Sequence, residues 1–108
     1  MVAARSPTEV AELLRSRPQE VFLLDVREPY ERDMALIEPS VHIPMNEVPS
    51  RQVELPADRE IVVYCHGGTR SAMVAAYLER AGFQRMSNLT GGIDAWSLEV
   101  DPNVPRYG

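Results

Sequence analysis

Apolar positions change their period along the chain, and each change marks an element. Val10, Leu13 and Leu14 fall on one helical face with polar residues between them. Ahead of them, Ser6-Pro7-Thr8-Glu9 reads as a capping box with proline at the first helical position, and Arg17-Pro18 stops the helix. Val21-Phe22-Leu23-Leu24 and Ile61-Val62-Val63-Tyr64 are unbroken apolar runs, as expected of strands buried on both faces. Val2-Ala3-Ala4, Val41-His42-Ile43 and Arg85-Met86-Ser87-Asn88-Leu89 complete the predicted strands. Pro29-Tyr30-Glu31-Arg32-Asp33 predicts a short helix, and Ser71 to Ala81 a long one that closes at Gly82, a residue suited to the left-handed C′ position. This alternation predicts an α/β fold, a three-layer α/β/α sandwich with a mostly parallel five-stranded sheet and right-handed crossovers.

Cys65 is the only cysteine in the chain, and it follows the Ile61–Tyr64 run directly. It opens Cys65-His66-Gly67-Gly68-Thr69-Arg70-Ser71, a glycine-bearing turn between the carboxyl end of a strand and the amino end of a helix. Unpaired N–H groups and the positive end of the helix dipole converge at such a junction, so a thiolate is favoured there. An inert core cysteine is the bland alternative, but it leaves Arg70 without a purpose. Cys65 is therefore the expected nucleophile, with His66, Gly67, Gly68, Thr69, Arg70 and Ser71 as the anion cradle and substrate-binding loop. Gly67 and Gly68 are expected to let the backbone curl where a Cβ would obstruct it. Arg70 either attracts an anionic donor or pins the loop through a hydrogen-bonded pair. His66 is an alternative general base, but inward-pointing N–H groups turn its side chain outward to the rim.

Only four residues separate Cys65 from Arg70, whereas cysteine phosphatases use five, and the tighter loop suits a single terminal sulfur atom. At this point the chain resembles the rhodanese family of sulfurtransferases. The likeness extends to Leu23-Leu24-Asp25-Val26-Arg27-Glu28-Pro29 and to Leu89-Thr90-Gly91-Gly92-Ile93-Asp94-Ala95-Trp96. The stretch Ala35 to Pro44 keeps only Ile37 and Ile43-Pro44 of the family's segment at that place. The resemblance implies a rhodanese-like fold and sulfane sulfur carried as a persulfide on Cys65. The sulfur would pass from thiosulfate or a persulfide to cyanide, a thiol or a sulfur-carrier protein. It also places Asp25 and Arg27 beside the loop as supporting residues, where Asp25 either accepts from loop donors, pairs with Arg70, or caps the following turn. Implied partners are a cysteine desulfurase, an adenylating enzyme or a sulfur-carrier protein. The other readings are a cysteine phosphatase or arsenate reductase, and a noncatalytic rhodanese-like binding module. The interval to Arg70 disfavours the first pair, and the presence of Cys65 disfavours the module.

Composition narrows this picture further. The 108 residues are expected to form a single domain over 1–108, with 97–108 an extended, proline-rich C-terminal tail. One cysteine leaves no resolving thiol, so carried sulfur must leave to an outside acceptor. No cofactor is expected, and no metal either, because one cysteine excludes a multi-cysteine zinc site and neither His42 nor His66 has a convincing metal partner. A net charge of −5 disfavours nonspecific binding to nucleic acid or anionic membranes. With no apolar run of membrane-spanning length and no leader pattern, the expected compartment is the cytoplasm.

Overall fold

A computed structural model describes all 108 residues. It contains β1 (Ala3–Arg5), α1 (Pro7–Ser16), β2 (Val21–Asp25), α2 (Pro29–Met34), β3 (Val41–His42), α3 (Val48–Arg51), β4 (Glu60–Tyr64), α4 (Thr69–Arg80), β5 (Met86–Leu89) and α5 (Gly92–Glu99). The five strands form one sheet in the order β1-β5-β4-β2-β3, and every pair is parallel. The predicted α/β architecture is therefore the observed one, with the sheet parallel throughout.

Side-chain alternation divides the core between the sheet's two faces. Leu24, Ile61 and Val63 point to one side, where they meet Val48 of α3 and Val74, Ala75 and Leu78 of α4. Val21, Leu23, Val62 and Tyr64 point to the other, against Val10 of α1 and Ile93 and Trp96 of α5. With both faces covered, β2 and β4 must be continuously apolar, as their sequences are.

Local signals set the helix starts. Ser6 accepts from the Glu9 N–H at 3.1 Å while Glu9 accepts from the Ser6 N–H at 2.8 Å, so the capping box is complete. Gly82 closes the turn after α4 with φ +113°. Three details differ from expectation. Helical turns at Met45–Glu47 and Gln52–Glu54 flank α3, in a stretch where no element was predicted. Pro49 hides this helix from a breaker rule, yet it sits in the first turn, where its missing N–H leaves no gap. β1 runs one residue later than expected, because Arg5 pairs with Leu89 and its carbonyl accepts from the Thr90 N–H.

The third difference is at the tail. α5 continues through Ser97, Leu98 and Glu99, so the extended segment does not begin at residue 97. Burial of Trp96 and Ser97 keeps the last turn on the sheet, and Val100 and Asp101 both donate to the Trp96 carbonyl. Beyond it, Val104 is buried and its carbonyl accepts from Ser97 Oγ at 2.6 Å. The segment that departs from the family pattern, residues 35–40, has no regular element. It is anchored by Ile37, which is buried and donates its N–H to the Tyr64 hydroxyl at 3.2 Å.

Candidate active site

Cys65 follows β4, the middle strand of the sheet, and the loop after it turns straight into α4. Ligands of parallel α/β sheets bind at this carboxyl edge. Cys65 is 1% exposed, and its Sγ receives the N–H of Gly68 at 3.1 Å and that of Ser71 at 3.4 Å. Ser71 Oγ lies 3.3 Å from the same sulfur. Burial pushes the thiol up, but the Ser71 and Gly68 N–H groups and the charge of Arg70 pull it down. The thiol is held below its ordinary value.

The loop's carbonyls face the other way. Those of Cys65 and His66 accept from the Ile93 and Asp94 N–H groups at 2.9 and 3.2 Å, so the amino end of α5 holds the outside of the turn. This demands a very close approach by Gly92, whose φ is +62° and where a Cβ would lie 2.5 Å from the Cys65 carbonyl oxygen. The steric requirement expected at Gly67 and Gly68 is therefore at Gly92 instead. A Cβ on Gly67 would meet nothing within 4 Å, and one on Gly68 would only reach ordinary contact distance. Gly68 is needed for its backbone, with φ +112°.

Arg70 uses both terminal nitrogens on one carboxylate, reaching Glu31 Oε1 at 2.7 Å and Oε2 at 2.9 Å. Glu31 of α2 was not among the expected site residues. The Arg70 fork draws its carboxyl down to about 2 against the opposing effect of burial, helped by the Glu28 N–H and the Tyr107 hydroxyl. Tyr107 is a second addition. Its hydroxyl donates to Glu31 Oε2 at 2.7 Å and accepts from Arg27 at 3.0 Å, and its ring stacks on His66 with centroids 4.5 Å apart. Burial and the Glu31 carboxylate push this phenol up to about 12, so it stays protonated and able to donate. His66 is accordingly half-buried beneath Tyr107 and makes no hydrogen bond to the sulfur. Thr69 is exposed as the first residue of α4.

Asp25 and Arg27 are both fully buried below the loop and bind each other through two contacts of 2.7 and 2.8 Å. Asp25 also accepts the Arg27 N–H at 3.1 Å, the local turn-capping geometry, and its partners are Arg27, Arg32 and Tyr64, not Arg70. Arg27 spends its remaining donors on the Ala35 and Glu31 carbonyls and on Tyr107. A fully buried guanidinium is tolerable because each N–H has an acceptor. His42 Nε2 lies 2.7 Å from the Arg27 carbonyl, a structural contact. Asn88 of β5 is a third residue that sequence reasoning passed over. It contacts Ser71 at 2.6 Å and Gly68 at 3.2 Å.

Comparison with known proteins places the chain in a family by sequence and by fold. The family model for the rhodanese-like domain matches residues 6–99. A sulfurtransferase of Allochromatium vinosum is 42% identical over 90 residues, covering 83% of this chain and 84% of that protein. MoeZ of Mycobacterium tuberculosis, named as a probable adenylyltransferase/sulfurtransferase, is 36% identical over 104 residues. That alignment takes in 94% of this chain, which spans only 26% of MoeZ. The crystal structure of a rhodanese-related protein from Thermoplasma volcanium superposes with a TM-score of 0.84 at 28% identity, covering 97% of this chain and 99% of that one. A buried thiol at the β4–α4 junction, a six-residue loop and a matching sheet all lead to one conclusion: the chain belongs to the rhodanese-like domain family.

Proposed function

We propose that this protein is a sulfurtransferase that carries sulfane sulfur on Cys65. The observation that carries the reading is the loop itself, a sulfur atom receiving backbone N–H groups with four residues between Cys65 and Arg70. Relatives named sulfurtransferase support the same class of reaction. In the first half-reaction the Cys65 thiolate attacks the outer sulfur of thiosulfate. The sulfur–sulfur bond of thiosulfate breaks, sulfite leaves with the electron pair, and Cys65 holds a persulfide. In the second, cyanide or a thiolate attacks that outer sulfur and Cys65 leaves as the thiolate, restoring the enzyme. The Gly68 and Ser71 N–H groups, which point at the sulfur, stabilise it as an anion within the loop from His66 to Ser71. Arg70, fixed by Glu31, adds a positive charge at the mouth, and Asp25 and Arg27 support the floor.

A separate adenylating enzyme, a cysteine desulfurase or a sulfur-carrier protein is the proposed partner class in a reducing cytoplasm, since MoeZ joins adenylyltransferase and sulfurtransferase in one name. No helix of the chain is long and apolar enough to cross a membrane. Intact-protein mass after exposure to thiosulfate tests the chemistry. The wild type should gain one sulfur atom and lose it to cyanide as thiocyanate, with ping-pong kinetics, while Cys65→Ser should do neither. Thiocyanate production by Cys65→Ser at the wild-type rate would exclude the mechanism.

A further inference from the structure

The Ser71 hydroxyl has one proton and two neighbours that compete for it. Asn88 Oδ1 lies 2.6 Å away and Cys65 Sγ 3.3 Å away. The orientation of the Asn88 amide is settled by its other end. Its Nδ2 is 3.2 Å from the Gly68 carbonyl, which can only accept, so Oδ1 must be the atom facing Ser71. Oδ1 can only accept in turn, and at the shorter distance it takes the hydroxyl proton. What Ser71 Oγ then presents to Cys65 is a lone pair.

From this we propose that Asn88 is a positioning residue that turns the Ser71 hydroxyl proton away from Cys65, so that Ser71 Oγ accepts from the neutral thiol instead of donating to the thiolate. The inference deepens the proposed role of Cys65 as sulfur carrier, but it concerns the ionisation of the thiol and is read without any sulfur transfer. The two backbone N–H groups and Arg70 then favour the anion, and the hydroxyl opposes them. Its lowering effect on the thiol exists only when its proton points at sulfur. Asn88 thereby keeps the Cys65 thiolate intrinsically more nucleophilic than the backbone cradle alone would leave it, at the cost of a smaller thiolate fraction, because thiolate nucleophilicity falls as thiol acidity rises. The same amide also clamps Gly68, one of the two N–H donors to sulfur, and a purely structural role for Asn88 would act through that clamp.

The other ionisable groups around the sulfur stay in place under these substitutions. They are Arg70 of α4 with its partner Glu31 of α2, His66 in the loop with Asp94 of α5 near it, and Tyr107 near Arg70. Because Cys65 is the only thiol, the pH dependence of iodoacetamide alkylation reads one site. Ser71→Ala should move the midpoint to lower pH by about 0.5 to 1 unit, the size of one neutral hydrogen bond. Asn88→Ala should lower it as well, since the freed hydroxyl turns toward sulfur, and it should have no effect in the Ser71→Ala background. A midpoint that rises or stays put in Ser71→Ala overturns the proposal, and so does an Asn88→Ala shift that persists without the hydroxyl. If Asn88→Ala fails to fold, the direction in Ser71→Ala decides the matter alone.

Discussion

At the scale of single residues, the site needs a side chain to be missing at Gly92. Gly92 allows the Ile93 and Asp94 N–H groups to reach the Cys65 and His66 carbonyls, which holds the turn with its own N–H groups facing inward. Gly92→Ala would place a Cβ within 2.4 Å of the His66 carbonyl oxygen, at a left-handed φ of +62°. Strain of this kind costs about 1–3 kcal/mol before the clash is counted. The loop must shift to relieve it, so persulfide formation should fall sharply and the alkylation midpoint of Cys65 should rise. Gly67→Ala is the matched control, with open space at its Cβ and no positive φ, and its stability should stay within about 0.5 kcal/mol of wild type. Denaturant titration and sulfur loading of the two variants side by side check the contrast. Equal losses in both would show that the close approach at Gly92 is unimportant.

At the scale of elements, the carboxyl edges of β2 and β4 adjoin, with Asp25 opposite Tyr64 in register, and the segments leaving them share one hydrogen-bonded system. Arg27 and Glu31 come from the β2–α2 side, Arg70 from α4, and Tyr107 from the segment after α5. Tyr107 closes that system, since its hydroxyl bridges a buried guanidinium and the carboxylate that holds Arg70. Tyr107→Phe keeps the ring over His66 but leaves an Arg27 N–H without its acceptor, at a cost of about 1–3 kcal/mol. Tyr107→Leu, which loses the stacked ring too, should be less stable still. Thermal unfolding of the three proteins should rank them wild type, Phe, Leu, and a Phe variant as stable as wild type would show that the bridge contributes nothing.

At the scale of the whole molecule, buried carboxylates tie the layers together and make stability depend on acid. Glu31 is held at about 2 against an ordinary 4.5. Asp25 is held below its usual range by Arg27 in spite of burial, and Glu60 by Arg5. Groups depressed on folding contribute fully above their unfolded values, and lose that contribution as pH falls through the folded ones. Stability should therefore be level in this respect above about pH 4.5 and decline from there toward about pH 2. Glu31→Gln should be less stable at neutral pH and show a shallower decline over that interval. Urea midpoints measured across pH 2–7 read both slopes, and parallel curves would remove Glu31 from the account.

The order of strands and helices was legible in the amino-acid sequence because its causes are local. Unbroken apolar runs made β2 and β4, the Ser6–Glu9 box began α1, Gly82 ended the turn after α4, and the Cys65–Ser71 turn was placed between strand and helix by its immediate neighbours. What remained hidden was set by partners far along the chain. Glu31 lies 39 residues from Arg70 and 76 from Tyr107, and Asn88 lies 17 from Ser71. No local pattern selects among the sixteen acidic residues for Arg70, or marks Gly92 as the glycine that must touch the Cys65 carbonyl. The helix at Val48–Arg51 was masked by a proline whose first-turn position only the folded chain displays. Sequence by itself determined which segments are strands and helices and where the thiol stands, because backbone preference and burial act over a few residues. Tertiary structure decided which side chains hold that thiol's surroundings, because closing the parallel sheet is what brings the ends of β2, β4, β5 and the last residues to one edge.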